Sequence, residues 1–207
     1  MPIKLYRHAL SGHCHRVELF LHLLELPFDP IDVDLGRGEH KTAGFLALNA
    51  FGQVPVLVDD GTVIADSNAI LTYLALRYAG ESWLPRDPVG AARVQRWLSV
   101  AAGPLAFGVA TARVIELFKR PLDPKDSIER AHGLLRVMEQ ALSAAGNEFI
   151  AAAQPTIADL ALYSYTAHAP EGNVSLDAYP AVRAWLQRVE ALPGFVPMPA
   201  SRVGLAA

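Results

Sequence analysis

Cysteine is almost absent from this 207-residue sequence, which contains Cys14 alone. An intramolecular disulfide is therefore impossible, and this agrees with a reducing compartment. A large excess of charge is also missing: the formal net charge is -3, and no cluster of Lys and Arg occurs. The sequence thus has no electrostatic footprint for nucleic acid or for an anionic membrane surface. It also lacks the charged start and apolar stretch of a signal peptide.

Long hydrophobic runs are missing as well. The longest uncharged run, residues 97–112, is interrupted by Gly103, Pro104 and Gly108. It is shorter than the roughly 20 apolar residues that cross a bilayer. With 52% hydrophobic and 19% charged residues, the chain has enough apolar surface to bury a core. We expect a soluble, cytoplasmic protein.

The first eighty residues alternate between strand and helix patterns. Alternation of apolar and polar residues predicts strands at 3–7, 28–33, 54–58 and 62–64. Helical spacing of apolar residues predicts helices over 17–24, 42–48 and 67–78, between and after these strands. Asp60-Gly61 between the last two strands indicates a hairpin turn. The resulting order βαβαββα predicts a small mixed sheet with helices on its faces.

The remainder of the chain has no comparable strand pattern. Residues 80–87 are rich in turn-forming residues and predict a linker between a domain of residues 1–79 and a domain of residues 88–207. Helical periodicity covers 89–119, 127–145, 157–169 and 181–192. Pro104 is expected to kink the first of these helices. The second domain is therefore predicted to be all-helical.

The strongest local motif spans residues 52–57 (GQVPVL) and 65–70 (ADSNAI). In this stretch the chain resembles the cytosolic glutathione transferase superfamily, and the Ser-containing turn after the first strand is similar to the bacterial theta/nu-like type. The resemblance extends from Lys4 to about Phe195. It implies a thioredoxin-like N-terminal domain that binds glutathione and an all-helical C-terminal domain. It also implies that the Val54–Pro55 peptide bond is cis.

The resemblance assigns residues of this motif to parts of glutathione. Val54, before Pro55, would bind the cysteinyl backbone, because a proline at the start of a strand leaves its neighbour's polar groups free for an added strand. Asp66 would bind the γ-glutamyl ammonium and Ser67 its carboxylate, at a helix N-terminus that favours anions. The alternative is that Asp66 or Ser67 only caps the helix. Capping and binding are compatible.

The glycyl carboxylate of glutathione has its own candidates. In theta-like transferases a histidine at the place of His40 meets this carboxylate, and Lys41 and Gln53 are expected to help. The alternative is that residues 38–41 form an ordinary solvated loop.

The thiol of glutathione must be activated, because a thiol with a pKa near 8.5 is mostly protonated at neutral pH. By the resemblance, Ser11 donates a hydrogen bond to the thiolate; its alternative role is that of an N-cap. His13 stands where some relatives carry Asn, and it could donate a hydrogen bond or act as a cation. Cys14 would instead support a glutathione-dependent thiol transferase or reductase. A small buried cysteine is the more common outcome.

The second substrate is expected between the Ser11 turn and the first long helix of the C-terminal domain. Leu10, Phe107, Thr111 and Arg113 are the candidates. Phe107 could instead belong to the core. Arg113 could meet an anionic substrate group or a carboxylate within the helical domain.

Two further patterns bear on fold and chemistry. Thr156 followed by Asp159 predicts a capping box at the start of a buried helix, similar to one in the transferases. His13 and His15 flank Cys14, but residues two apart do not share a helix face, so we expect no metal site.

The sequence thus predicts a glutathione transferase that attacks a small hydrophobic electrophile or reduces a peroxide. The alternatives are the Cys14-dependent enzyme and a non-catalytic adaptor that keeps the fold for protein contacts. The resemblance also implies a homodimer, for which an exposed Phe51 could insert into the partner subunit or pack within its own chain.

Overall fold

A four-stranded sheet organises the first part of the computed structural model, which describes residues 2–144 and 148–207. Its strands are β1 (Ile3–Arg7), β2 (Phe28–Asp32), β3 (Val56–Asp59) and β4 (Thr62–Ala65), in the spatial order β2-β1-β3-β4. Strand β1 is parallel to β2 and antiparallel to β3, which pairs with β4 in a hairpin. Asp60 and Gly61 both have positive φ, at 46° and 80°, as the tight hairpin turn requires.

Three helices cover this sheet: α1 (Gly12–Leu23), α2 (Ala43–Leu48) and α3 (Ser67–Tyr78). The predicted order βαβαββα and the thioredoxin-like architecture are therefore confirmed. Strand β3 begins at Val56, two residues later than predicted. The reason is that Pro55 has no N–H to donate to a neighbouring strand. The Val54–Pro55 peptide bond is cis, as the resemblance implied.

The rest of the chain is helical, as predicted. It contains α4 (Pro88–Val100), a π-helical segment (Ala101–Ala110), α5 (Thr111–Leu117), α6 (Lys125–Ser143), α7 (Ile157–Ala167) and α8 (Pro180–Glu190). The helix predicted over 127–145 ends at Ser143, and residue 145 lies outside the described residues. Helix α7 ends two residues earlier than predicted.

The continuous helical run Pro88–Leu117 carries Pro104 within its π-helical segment. Proline lacks the N–H of a regular helical turn, and the run passes it with a wider turn instead of ending. By length and composition this run could cross a membrane, but half of its most apolar window is buried inside the protein. Leu98, Leu105 and Val109 belong to the core that accounts for its apolar character.

One hydrophobic core joins the sheet half of the molecule to the helical half. Helix α1 packs on α7 so closely that a Cβ on Gly12 would lie 2.9 Å from the ring of Tyr165. The linker adds to this joint, because the ring centroid of Trp83 lies 4.9 Å from that of Phe20. The carbonyl of Trp83 also accepts a hydrogen bond from the N–H of Ile157 at 3.0 Å. The two halves are therefore held in a fixed relation.

The predicted capping box at the start of α7 is confirmed. The Thr156 hydroxyl accepts from the N–H of Ala158, and Asp159 Oδ2 accepts from the N–H of Thr156 at 2.8 Å. Asp159 Oδ1 also accepts from the N–H of Ile150 and from the Trp185 indole. Asp159 is fully buried, and these bonds satisfy its carboxylate within the core.

Candidate active site

A cavity of about 960 Å³ opens between the sheet half and the π-helical segment. It is lined by Ser11, His13, Leu35, His40, Lys41, Leu48, Asn49, Ala50, Phe51, Gly52, Gln53, Val54, Pro55, Ala65, Asp66, Ser67, Ala102, Ala106 and Phe107. All nine predicted glutathione and thiol residues are among them, although they come from four separate stretches of sequence.

Ser11 lies on the cavity wall at the N-terminus of α1. Its Oγ accepts a hydrogen bond from the N–H of Cys14 at 3.3 Å, so the predicted N-cap role is real. Its hydroxyl also forms a hydrogen bond with the buried Cys14 thiol, a weak acceptor from which the proton can turn to a ligand at the cavity wall. The positive end of the helix dipole at this point also favours an anion. The local chemistry is suited to a thiolate.

His13 also lies on the wall, but it is neutral. Burial and the neighbouring Arg16 lower the pKa of its imidazole to about 3. Its ring stands edge-on to that of Tyr165, with the centroids 5.0 Å apart, and its Nδ1 lies 3.4 Å from the Ser67 hydroxyl. The structure therefore contradicts a cationic His13 that lowers the pKa of a thiol by its charge. A neutral hydrogen-bonding role remains compatible with its position.

Cys14 is absent from the cavity lining and only 1% exposed. Burial raises the pKa of its thiol to about 11, and its Sγ accepts from the N–H of His8 at 3.4 Å. A protonated thiol enclosed by protein is a poor nucleophile. The structure thus argues against the Cys14-dependent thiol transferase and supports the packing role.

Val54 and Pro55 form the wall at the start of β3. Strand pairing to β1 begins at Val56, so Val54 lies just beyond the ladder. Within the described residues no hydrogen bond to the backbone of Val54 occurs. Its N–H and C=O are therefore available for hydrogen bonds to an extended ligand.

Asp66 and Ser67 line the cavity at the N-terminus of α3. Asp66 Oδ1 caps the helix by accepting from the N–H groups of Asn68 and Ala69, both at 2.9 Å. Its Oδ2 has no partner within the described residues. Asp66 has a φ of 74°, a conformation that is strained in a non-glycine residue and typical of functional sites. Capping and ligand binding are therefore compatible here, as expected.

The far end of the cavity is basic. His40 Nδ1 is buried without a hydrogen-bond partner among the described residues. Lys41 Nζ lies 3.4 Å from the carbonyl oxygens of Phe51 and Gly52, which hold it at the cavity. The Gln53 carbonyl is fixed by the Asn49 side-chain amide at 2.8 Å. This end has the donors and the charge that a carboxylate requires.

The opposite wall is apolar and consists of Ala102, Ala106 and Phe107 on the π-helical segment. Phe107 is 65% exposed, so it belongs to the cavity rather than the core. Leu10 and Thr111, predicted to contact the second substrate, are absent from the lining. The Thr111 hydroxyl is turned to the carbonyl of Ala106 at 2.9 Å, because the π-helical turn leaves that acceptor within reach.

Two roles were predicted for Arg113, a substrate contact and a pairing with a carboxylate of the helical domain; the structure corrects the first and shows the second. It is 1% exposed, and its Nε donates to Glu171 Oε2 at 2.7 Å. Its Nη1 donates to the carbonyl oxygen of Leu10 at 2.7 Å. His168 and the N–H of Ser201 complete the surroundings of Glu171. Arg113 thus ties the helical half to the residue before Ser11.

Sequence reasoning missed Arg16. It is a fully buried arginine on α1 whose Nη1 donates to the Ser67 hydroxyl at 3.2 Å and to Asn68 Oδ1 at 3.1 Å. The available signal was a charged residue among the apolar positions of a buried helix. No group of three or more metal-ligating side chains occurs in the part of the chain that the structure describes.

Comparison with known proteins agrees with this geometry. The family models for the "Glutathione S-transferase, N-terminal domain" and the "Glutathione S-transferase, C-terminal domain" match residues 10–77 and 108–193. Glutathione S-transferase 3 of Zea mays is 36% identical over 94% of this chain and 91% of its own length. Glutathione S-transferase theta-2 of Homo sapiens is 31% identical over 94% of this chain and 83% of its own.

A solved structure gives the same result. The glutathione S-transferase of Pseudomonas fluorescens superimposes with a TM-score of 0.88 at 37% identity, covering 96% of this chain and 99% of that chain. The sheet order, the strained helix cap at Asp66 and the family matches in both halves of the sequence lead to one conclusion. The chain belongs to the glutathione S-transferase family of enzymes.

Proposed function

We propose that this transferase binds glutathione in the described cavity and activates its thiol through the hydroxyl of Ser11. The observation that carries the proposal is the hydrogen bonding of this hydroxyl at the N-terminus of α1. Its oxygen accepts from the N–H of Cys14, and its proton can turn from the Cys14 thiol, a weak acceptor, to a thiolate at the positive end of α1, because a charged acceptor makes the stronger hydrogen bond. A hydrogen bond donated to a thiolate favours the charged form and lowers the pKa of the thiol.

The remaining polar groups of the cavity match the rest of the tripeptide. Val54 pairs with the cysteinyl backbone, with Pro55 in the wall behind it. Asp66 Oδ2 accepts from the γ-glutamyl ammonium, and the hydroxyl and N–H of Ser67 bind its carboxylate. His40, Lys41 and Gln53 bind the glycyl carboxylate at the basic end. This orientation directs the thiol to Ser11.

The second substrate is proposed to be a small hydrophobic electrophile. It would lie against Ala102, Ala106 and Phe107, opposite the polar wall and within reach of the thiolate. Apolar side chains exclude water without fixing one orientation, which suits a range of electrophiles in detoxification. Reduction of a peroxide by the same thiolate uses the same residues.

Three properties complete the proposal. The predicted division into residues 1–79, 80–87 and 88–207 is retained. The enzyme is proposed to be cytoplasmic.

The enzyme is also proposed to be a homodimer, because the side chain of Phe51 is 80% exposed beside the cavity and suits insertion into a second subunit. Light scattering of the Phe51→Ala variant tests the last point, and an unchanged dimer would exclude this residue as an anchor.

The proposed activity is tested with two measurements on one sample. Titration calorimetry with reduced glutathione is followed by conjugation to a chromogenic aryl halide. Saturable binding with turnover is expected, and Cys14→Ala is expected to retain both, since its thiol is buried. No binding at millimolar glutathione would refute the proposed function. Loss of turnover in Cys14→Ala, with the fold intact, would return the mechanism to that thiol.

A further inference from the structure

Arg16 is a buried cation that forms no ion pair in the part of the chain that the structure describes. Its side chain is 0% exposed, and its Nε and Nη2 have no hydrogen-bond partner. No carboxylate forms an ion pair with it within the described residues. Arg113, by contrast, is equally buried and paired with Glu171 at 2.7 Å. The Asp66 carboxylate at the cavity attracts Arg16, but only from beyond ion-pair distance. A buried charge without a direct partner is costly, so the unpaired state of Arg16 calls for an explanation.

The bonds that Arg16 does make lead to the cavity. Its Nη1 donates to the Ser67 hydroxyl and to Asn68 Oδ1, at 3.2 and 3.1 Å. The Asn68 side-chain amide then donates to the carbonyl of Leu98 at 3.0 Å, which fixes its orientation. Arg16 therefore holds the first turn of α3 without lining the cavity itself.

The hydrogen bond from Arg16 also sets the role of the Ser67 hydroxyl. Because the oxygen accepts from a guanidinium, its own proton must point elsewhere. The nearest internal acceptor, His13 Nδ1, is 3.4 Å away, which is a long contact. The N–H of Ser67 also has no partner in the described part of the chain, since the cap of Asp66 serves Asn68 and Ala69. Ser67 thus presents two donors to the cavity.

We propose that Arg16 is a positioning residue that makes the γ-glutamyl end of the cavity selective for a carboxylate. This inference rests on the proposed binding of glutathione. The ligand's α-carboxylate receives the two donors of Ser67, and its charge offsets that of Arg16 behind them. Arg16 does not touch the ligand; it orients the hydroxyl and supplies the electrostatic attraction.

The test compares two ligands on three proteins. Calorimetry is performed with glutathione and with 4-aminobutyryl-cysteinyl-glycine, which is glutathione without its α-carboxylate. Arg16→Met removes the charge at similar length, and Arg130→Met removes an exposed positive charge as the matched control. We expect Arg16→Met to weaken glutathione binding about tenfold and binding of the analogue less than twofold, because the attraction of the guanidinium and the orientation of the Ser67 hydroxyl act only on the ligand that carries the α-carboxylate. Arg130→Met is expected to bind both ligands as the unmodified protein does.

Equal weakening of both ligands, or no weakening of either, would overturn the inference, since a merely structural role does not distinguish them. If Arg16→Met fails to fold, the same two ligands are titrated into Arg16→Lys. One ammonium cannot reproduce both bonds, so glutathione binding is expected to fall at least threefold with the analogue unaffected, and equal losses contradict the proposal. Failure of the unmodified protein to bind glutathione would refute the proposed function instead.

Discussion

The two walls of the cavity differ in what fixes them. The polar wall, from the sheet half, consists of groups held by helix caps and strand ends, such as Ser11 at α1 and Asp66 at α3. The apolar wall, from the helical half, consists of Ala102, Ala106 and the largely exposed Phe107. A wall of fixed donors and acceptors selects a ligand by direction, whereas an apolar wall selects by size alone. The polar wall is therefore expected to be selective for one ligand, glutathione, and the apolar wall to accept a range of electrophiles.

The contacts between the two halves hold these walls opposite each other. Arg113 reaches from α5 to the carbonyl of Leu10, next to Ser11. His15, on α1, has Nδ1 2.8 Å from the Ser164 hydroxyl and Nε2 2.9 Å from the carbonyl of Val196. The side chains of Arg113 and His15 are both buried, so changes here are expected to have the largest effects, and changes in the apolar wall the smallest.

The largest effect is expected from disrupting the buried ion pair of Arg113 and Glu171, which helps to hold the two walls opposite each other. Arg113→Met leaves Glu171 charged and buried, and we expect a loss of about 3–5 kcal/mol in the free energy of unfolding. Urea denaturation measures it. The double variant Arg113→Met/Glu171→Gln is the control and is expected to recover part of the loss. A loss below about 1 kcal/mol for the single variant, as for an exposed pair, would contradict the assigned burial.

The pH dependence of stability tests the contact that His15 makes between the same two halves. Burial lowers the pKa of its imidazole from 6.5 to about 4, so the unfolded chain binds this proton first as the pH falls. The contribution of His15 to stability is full above pH 6.5 and is lost progressively down to about pH 4. The expected loss is about 3 kcal/mol.

His15→Gln isolates this effect from other titrating groups, including His13, whose pKa is lowered in the same direction. The variant is expected to be less stable at neutral pH, but its unfolding free energy should fall less steeply between pH 6.5 and 4. Urea denaturation at each pH measures this. If the unfolding free energies of the two proteins fall in parallel with pH, His15 does not cause the loss of stability.

The polar wall is tested by Ser67→Ala. Loss of a hydroxyl that donates to a carboxylate is expected to raise the KM for glutathione about tenfold, since hydrogen bonds to charged groups contribute about 1.5–3 kcal/mol. The KM for the electrophile should not change. Steady-state kinetics with each substrate varied in turn measure both values, and a similar rise in the two would show that the walls are not independent.

The apolar wall is tested by Phe107→Ala, with the smallest expected effect. Its ring is already 65% exposed, so its removal should raise the KM for a hydrophobic electrophile about threefold and leave that for glutathione unchanged. Phe118→Ala is the matched control, because Phe118 is an exposed phenylalanine outside the cavity lining. Equal effects of the two variants would exclude Phe107 from the substrate site.

The sequence predicts best where one local pattern determines the structure. Helix α3 begins and ends where its pattern predicts, since Asp66 caps it and the apolar spacing runs to Tyr78. Helix α7 likewise begins where Thr156 and Asp159 predict, at Ile157. Residues 52–57 and 65–70 also contribute Gln53, Val54, Pro55, Asp66 and Ser67 to the cavity lining.

Prediction fails where the determining partner is distant in sequence. Arg113 meets the carbonyl of Leu10, 103 positions away, and Glu171, 58 positions away. No local pattern identifies those partners, so the sequence leaves a substrate contact and an internal carboxylate as two open roles for Arg113. His13 is neutral because Tyr165, from α7, helps to bury it. The helical spacing around Pro104 likewise predicts a helix but not its π-helical turn.

The central claim is that Ser11 lowers the pKa of the glutathione thiol in the cavity. Its most direct test is an ultraviolet titration of the thiolate of bound glutathione in the unmodified protein, Ser11→Ala and Ser11→Thr. The account predicts a pKa below about 8.5 in the unmodified protein, a rise of about one unit in Ser11→Ala, and little change in Ser11→Thr, which keeps the hydroxyl. An identical thiolate titration in the unmodified protein and Ser11→Ala would contradict it.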